Sequence, residues 1–148
     1  MTEINFYHLM RKTLEQVLPE MLSKTLERGL KAVVKVSDKT QSEELSKFLW
    51  VYSQDSFLPH GTSEDKYPEE NPVLITDKDE NLNNAEYLFL TNMTWSGKLN
   101  EYEKVLNIFD GNNNESLNNA REKWKELQTE GKHQLTYWKQ TETGWSRE

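Results

Sequence analysis

The first fifty residues show one pattern twice: a strand-like segment followed by a helix. Ile4, Phe6 and His8 alternate with other side chains, which is typical of a strand with one buried face. A leucine-rich helix follows and is expected to stop at Gly29, and the apolar segment 32–36 precedes a second, shorter helix. Strands and helices that alternate at this spacing favour a parallel sheet with helical crossovers.

The starts of both helices carry capping signals. Thr13 and Gln16 have the spacing of a capping box, and so do Thr40 and Glu43. Pro19 conflicts with the first helix because proline removes an internal hydrogen bond and clashes with the preceding turn. The sequence leaves two possibilities: the helix kinks at Pro19, or it begins there.

The middle and end of the chain predict further strands. Segments 73–75 and 87–90 are short and apolar, and Leu135 to Trp138 suggest a final strand. Residues 50–71 have no clear period, and irregular segments of this length usually carry function or are mobile. We therefore expect one α/β domain over residues 1–140, and a polar tail, 141–148, with a composition typical of disorder.

A nucleotide site is not expected in this sheet. In nucleotide-binding sheets the first strand leads into a glycine-rich turn, but here Leu9 is followed by Met10, Arg11 and Lys12. Asp38 stands where an acidic residue could hold a ribose, yet it lacks the phosphate loop that would support this role. No Walker-type motif occurs.

Composition narrows the function classes further. The net charge of −7 argues against a protein that wraps DNA, because phosphate binding needs a broad basic footprint. The chain has no cysteine, no visible signal peptide and no apolar segment of membrane-spanning length, so we expect a cytoplasmic location and no membrane contact. Residues 117–139 are the exception to the acidic composition, with five basic side chains against three acidic ones. A small basic region on an acidic protein fits a short acidic partner.

Residues 105–125 contain the candidate binding site. A strand ending at Phe109 leads into an Asn-rich turn and then a helix, expected to begin near Leu117 with Ser116 or Asn114 as its cap. Arg121 and Lys125 are four residues apart, so their charges share one face of that helix.

Trp124 lies beside these two cations in the sequence. Together with Phe109 it suggests a small site for an acidic peptide that carries an aromatic side chain. The alternative is that Trp124 is a core residue, since helical aromatic residues usually face a core, and that the charges are only solvated.

Metal and catalytic sites are not predicted. Asp110, Asn112 and Asn114 have the spacing of calcium-loop ligands, but Glu115 replaces the required glycine and Arg121 replaces the final glutamate, so a turn is favoured. The three histidines lie far apart without ligand spacing. We expect no metal, no cofactor and no enzymatic activity.

Several segments together resemble the chi subunit family of bacterial DNA polymerase III holoenzyme. They are Phe6-Tyr7, Arg28-Gly29, Leu49-Trp50, Ser56-Phe57-Leu58-Pro59-His60, Pro72-Val73-Leu74-Ile75 and Ala120-Arg121-Glu122-Lys123-Trp124-Lys125. The resemblance covers about residues 4 to 139. The Ser-Phe-Leu-Pro-His segment and the Arg-x-x-Trp-Lys helix are its most specific parts.

The resemblance implies a Rossmann-like, open, mostly parallel sheet flanked by helices, without a nucleotide-binding glycine loop. It also implies a non-catalytic clamp-loader accessory role with two partners and no direct binding of nucleic acid. Phe109, Arg121, Trp124 and Lys125 match the pocket for the acidic C-terminal tail of single-stranded DNA-binding protein. Trp50 and Phe57 match the surface for the psi subunit.

The sequence is also compatible with other functions. One alternative is a protein-interaction module on the same fold that serves another DNA-repair partner, such as a helicase, and another is an enzyme or nucleotide-binding protein. Phe57 and Leu58 could instead pin their loop to the core. Within the leading hypothesis, Lys139 lies outside the basic helix and is expected to contribute little to the tail site.

Overall fold

The computed structural model describes residues 2–51 and 58–148. In these residues eight strands form one sheet, flanked by three α-helices. The strands are β1 (Glu3–Leu9), β2 (Ala32–Lys35), β3 (His60–Thr62), β4 (Val73–Thr76), β5 (Tyr87–Leu90), β6 (Lys104–Asp110), β7 (Gln134–Gln140) and β8 (Trp145–Arg147). The helices are α1 (Leu14–Glu27), α2 (Lys39–Val51) and α3 (Asn114–Glu130). Short 3₁₀ turns lie at Pro68–Glu70 and Leu99–Glu101.

The order of the strands in the sheet is β3-β4-β2-β5-β6-β1-β7-β8, and every pairing is parallel except β7 with β8. The connections through α1 and α2 run toward the β3 edge, whereas the connection through α3 runs toward the β8 edge. Right-handed crossovers in opposite directions place their helices on opposite faces of a sheet. The expected open, mostly parallel, Rossmann-like α/β fold is therefore confirmed.

Two buried clusters correspond to these two faces. Leu18 and Leu22 of α1 and Leu45 and Leu49 of α2 pack in one cluster with side chains from the strands. Ala120 and Leu127 of α3 pack in the other, whose strand residues are Ile4, Phe6, Val33, Leu88, Leu90, Val105 and Phe109. Even-numbered residues 4 and 6 of β1 thus face α3, while Tyr7 and Leu9 face the opposite side.

The start of α1 settles the question raised by Pro19. The helix begins at Leu14 and continues through Pro19, so it does not begin there. At its first turn the Oε1 of Gln16 accepts a hydrogen bond from the Thr13 N–H at 2.8 Å. Gly29 follows the helix with a φ of 77°, the left-handed conformation that glycine adopts easily.

Both predicted caps of the later helices are wrong by one to three residues. Asp38, not Thr40, caps α2, because its Oδ1 accepts from the Gln41 N–H at 2.8 Å. Asn113, not Asn114 or Ser116, caps α3, because its Oδ1 accepts from the Ser116 N–H at 2.9 Å. Each capping residue is the last one before the helix whose backbone is not helical. The pattern of side chains alone does not show where this residue lies.

Two strands were not predicted. β3 lies in the segment that shows no clear period in the sequence, and β8 lies in the polar tail. Both have only three residues and both are edge strands, paired on one side with β4 and β7 respectively. In β8, Trp145 packs edge-on against Tyr7 with the ring centres 5.2 Å apart, and this contact helps to hold the tail on the sheet.

Candidate functional site

The candidate site lies where β6, β1 and β7 end, on the face of the sheet covered by α3. In the strand register, His8 of β1 stands between Phe109 of β6 and Lys139 of β7. Because strand side chains alternate, all three side chains point to the α3 face, as Phe6 and Tyr137 do one pair earlier. The register therefore brings the rings of Phe109, His8 and Tyr137 together beside Lys139. These three rings are called the aromatic floor.

His8 is the centre of this floor. Its Nδ1 lies 2.5 Å from the hydroxyl oxygen of Tyr137, and its ring centre lies 5.1 Å from that of Phe109 and 5.8 Å from that of Tyr137. Only 8% of His8 is exposed. Its Nε2 is buried and has no hydrogen-bond partner among the described residues. One ring nitrogen of this histidine therefore remains unsatisfied whichever tautomer is present.

The orientation of α3 follows from three residues on one side of the helix. Ala120 and Leu127 are buried, and Trp124 lies between them on the same face. The Trp124 ring is half-buried and packs edge-on against Phe6 at 5.3 Å and against Tyr137 at 5.7 Å between ring centres. Trp124 is thus largely a packing residue, as the alternative interpretation expected, with part of its surface left open to solvent.

Arg121 lies one turn before Trp124 and is exposed. Because α3 begins where β6 ends, Arg121 lies nearer the carboxyl ends of the strands than Trp124 does. This places Arg121 close to the level of His8 and Lys139 on the sheet. In the described part of the chain, neither Arg121 nor Lys139 forms an ion pair, whereas Lys123 pairs with Glu126 at 3.6 Å. Both cations can therefore meet an anionic ligand.

The pKa values of His8 and Tyr137 show that Arg121 lies close to both of them. Burial lowers the pKa of His8, and the positive charges of Lys139 and Arg121 lower this pKa further, while Asp110 and Glu148 oppose them. Burial raises the pKa of Tyr137, and Arg121 opposes that rise. The neutral forms of both residues are favoured, so the formal positive charge of the site belongs to Arg121 and Lys139.

The structure thus brings three of the four predicted tail-site residues together: Phe109, Arg121 and Trp124 surround the His8–Tyr137 pair. Lys125 is exposed on α3, one turn further from the carboxyl ends of the strands. Lys139, which was expected to contribute little to the tail site, lies beside His8 because β7 pairs with β1. Its contribution to binding stays a prediction.

His8 and Tyr137 were not predicted as site residues. Alternation along β1 and β7 could have placed each of them on a face of its own strand. The pairing of β1 with both β6 and β7 was needed to bring them together.

The other predicted surface lies far along the sheet, at the end of α2. Trp50 and Val51 are 53% and 76% exposed, which makes them prominent among the exposed apolar side chains of the described residues. The ring of Trp50 lies 4.4 Å from that of His60, centre to centre. Phe57 lies outside the described residues. Leu58 is 3% exposed and belongs to the core, as the loop-pinning alternative expected for it.

The turn after β1 has a feature that bears on nucleotide binding. β1 and β6 are neighbours whose connections run in opposite directions, and this is the point of an open α/β sheet where ligands usually bind. There the N–H groups of Met10, Arg11 and Lys12 all donate to Oε1 of Gln140, at 3.0, 2.8 and 3.0 Å. The amides that could hold a phosphate thus already have an acceptor from β7.

A turn was expected over Asp110 to Asn114, and residues 111–113 form it between β6 and α3. The Asn112 N–H donates to Oδ1 of Asp110 at 2.9 Å, and the Asn112 side chain donates to the Met10 carbonyl at 2.8 Å. Residues 2–51 and 58–148 contain no cluster of three or more His, Cys, Asp or Glu side chains that could hold a metal ion. None of the helices in these same ranges is long and apolar enough to cross a membrane.

Comparison with known proteins agrees with this architecture. The family model described as DNA polymerase III chi subunit, HolC, matches residues 1–135. A relative from Rickettsia prowazekii (strain Madrid E), described as a probable DNA polymerase III subunit chi, is 30% identical over 109 residues. That alignment covers 74% of this chain and 66% of the relative, so the chain spans just under two thirds of the relative's length. On the strength of the family match, which includes β1, β6 and α3, the chain belongs to the chi subunit family of DNA polymerase III.

Proposed function

We propose that this chain is a non-catalytic accessory subunit of the DNA polymerase III clamp-loader assembly, and that it binds the acidic C-terminal tail of single-stranded DNA-binding protein. Family membership supports the first part. The second part rests on one observation: Arg121 and Lys139, neither of them in an ion pair within the described residues, flank an aromatic floor built from Phe109, His8 and Tyr137.

The chemistry of this site suits a peptide that ends in an aromatic residue. The guanidinium of Arg121 can hold the terminal carboxylate through two parallel hydrogen bonds. Lys139 and Lys125 supply point charges for preceding acidic residues. The half-buried Trp124 and the floor beside Phe109 offer aromatic edges against which a terminal ring can pack.

A binding experiment tests this function directly. A short synthetic peptide, rich in Asp and ending in Phe with a free carboxylate, is expected to bind saturably in calorimetry. Binding is expected to weaken as salt is raised, because Arg121 and Lys125 are exposed and their attraction for the peptide is screened. An equally acidic peptide that ends in Ala is the matched control and is expected to bind more weakly. Equal binding of the two peptides would show that the aromatic floor has no part in recognition.

The proposal includes a second surface, for a psi-like subunit, at Trp50. Exposed tryptophans are common anchors of protein interfaces, and His60 gives Trp50 a fixed support, because its ring nitrogens lie 2.7 Å from the Leu58 carbonyl oxygen and 2.9 Å from that of Ser46. Phe57, the other residue expected here, stays a prediction.

Trp50→Ala is expected to abolish capture of a purified psi subunit from the same organism while changing the free energy of unfolding by less than about 1 kcal/mol, since the side chain is half exposed. Pull-down and thermal melting measure the two effects. Tyr67→Ala is a matched control, because Tyr67 is 54% exposed but lies outside α2, before the 3₁₀ turn at Pro68–Glu70. Retained capture by Trp50→Ala, or a large loss of stability, would contradict this assignment.

A further inference from the structure

The His8–Tyr137 pair has no role in the function proposed above beyond forming the floor. His8 is buried, its Nδ1 is engaged with the Tyr137 hydroxyl, and its Nε2 faces Gly111 without a polar partner. A histidine in this state is neutral in the free protein, because the charged form would be desolvated and would carry a second N–H without an acceptor.

Charged groups approach His8 from every element around it. Arg121 comes from α3 and Lys139 from β7, and both disfavour a positive charge on the ring. Asp110 at the end of β6 and Glu148 after β8 act in the opposite sense. The balance in the free protein lowers the pKa of His8, with burial as the largest cause.

We propose that His8 takes up a proton when an acidic peptide binds beside Arg121 and Lys139, so that this site binds acidic peptides more tightly as the pH falls. The inference rests on the proposed function, because it concerns the same site. It assigns His8 a role in regulating affinity that is separate from any direct contact with the peptide.

The linkage follows from electrostatics. Carboxylates of the peptide offset the charges of Arg121 and Lys139 and attract an imidazolium, so peptide binding raises the pKa of His8 above that in the free protein. Reciprocity then requires that the protein with protonated His8 binds the peptide more tightly. Binding is therefore tighter at lower pH, and the uptake of one proton can raise the affinity by at most about tenfold per pH unit. The peptide carboxylates themselves stay ionised above about pH 5.

The experiment uses the full chain and the Asp-rich peptide ending in Phe. We expect affinity to rise at least about threefold between about pH 7 and about pH 5.5, at constant ionic strength. Calorimetry at about pH 6 in two buffers of different ionisation enthalpy is expected to show uptake of a fraction of a proton per peptide. In NMR titrations, the ring resonances of His8 are expected to report a higher pKa with peptide than without it.

The controls separate His8 from the other titrating groups. In His8→Asn the amide oxygen can still accept from Tyr137 but does not titrate, so proton uptake is expected to vanish; His133→Asn is expected to leave it unchanged. If His8→Asn does not fold, the NMR comparison on the unmodified chain decides the question. Peptide binding without proton uptake and without a change in the pKa of His8 overturns this inference alone, whereas no peptide binding at any pH overturns the proposed function and this inference with it.

Discussion

Gly111→Ala is expected to destabilise the protein by about 3 kcal/mol, at the upper end of the usual cost of overpacking a core. A Cβ at this position would overlap the imidazole ring of His8 and would lie 2.7 Å from the Leu9 carbonyl oxygen. His8 can move only by giving up its hydrogen bond to Tyr137, and the Leu9 oxygen belongs to the backbone of β1 and already accepts from the Gly111 N–H at 2.8 Å. Thermal melting is expected to show a loss of roughly 10 °C.

The chain offers a matched control for this substitution. A Cβ on Gly144 would meet nothing within 4 Å, so Gly144→Ala is expected to leave stability unchanged or to raise it slightly by restricting the unfolded chain. Adding His8→Ala to Gly111→Ala is expected to restore part of the lost stability, because the two side chains compete for one space. If Gly111→Ala melts within about 1 °C of the unmodified chain, the close packing of His8 on Gly111 is not a feature of the protein in solution.

The dependence of His8 on Gly111 illustrates what the sequence could predict and what it could not. The alternation of Ile4, Phe6 and His8 is local, and it predicts the strand and the side chains that share one face. In the structure the other face is covered too, since Asn5 and Leu9 are buried. The residues that lie beside His8 on the neighbouring strands are decided by distant parts of the chain. Phe109 and Lys139 both follow His8 by more than a hundred residues in the sequence, and no pattern within β1 selects them.

The same distinction explains the errors in the fold. Long elements such as α1, β6 and α3 were predicted. Burial of one face gives α1 its helical period, whereas β6 is a largely apolar segment that is buried on both faces. β3 and β8 have three residues each, too few for a period, and pairing with one neighbouring strand defines them. Helix caps depend on the backbone conformation of one residue, so the caps at Asp38 and Asn113 differ from the predicted ones although the helices themselves are present.

The candidate site was partly predictable for a further reason. Arg121, Trp124 and Lys125 lie on one helix, so their spacing alone puts them near each other. Lys139 is adjacent to this group only through β7, and the sequence therefore placed it outside the site. The structure adds Lys139, beside His8, to the expected pair of cations Arg121 and Lys125.

Arg121→Ala is expected to weaken binding of the Asp-rich, Phe-terminated peptide by about 2 kcal/mol, near thirtyfold, which lies within the range for hydrogen bonds to charged groups. Arg121 is exposed, and no described residue forms an ion pair with it, so its removal is expected to leave the melting temperature nearly unchanged. Arg121→Lys is expected to recover only part of the affinity, because an ammonium cannot make two parallel hydrogen bonds to a carboxylate. Calorimetry at low salt measures these differences.

Comparison with other lysines shows whether the effect of Arg121→Ala is specific to the site. Lys139→Ala is expected to cost about 1 kcal/mol, since a point charge beside the floor contributes less than a bidentate contact. Lys132→Ala removes a charge of the same sign beyond the far end of α3 and is expected to change affinity little. If Arg121→Ala binds the peptide as tightly as the unmodified chain, or if Lys132→Ala weakens binding as much as Lys139→Ala does, attraction depends on general charge alone. The floor between β6, β1 and β7 would then not be the binding site.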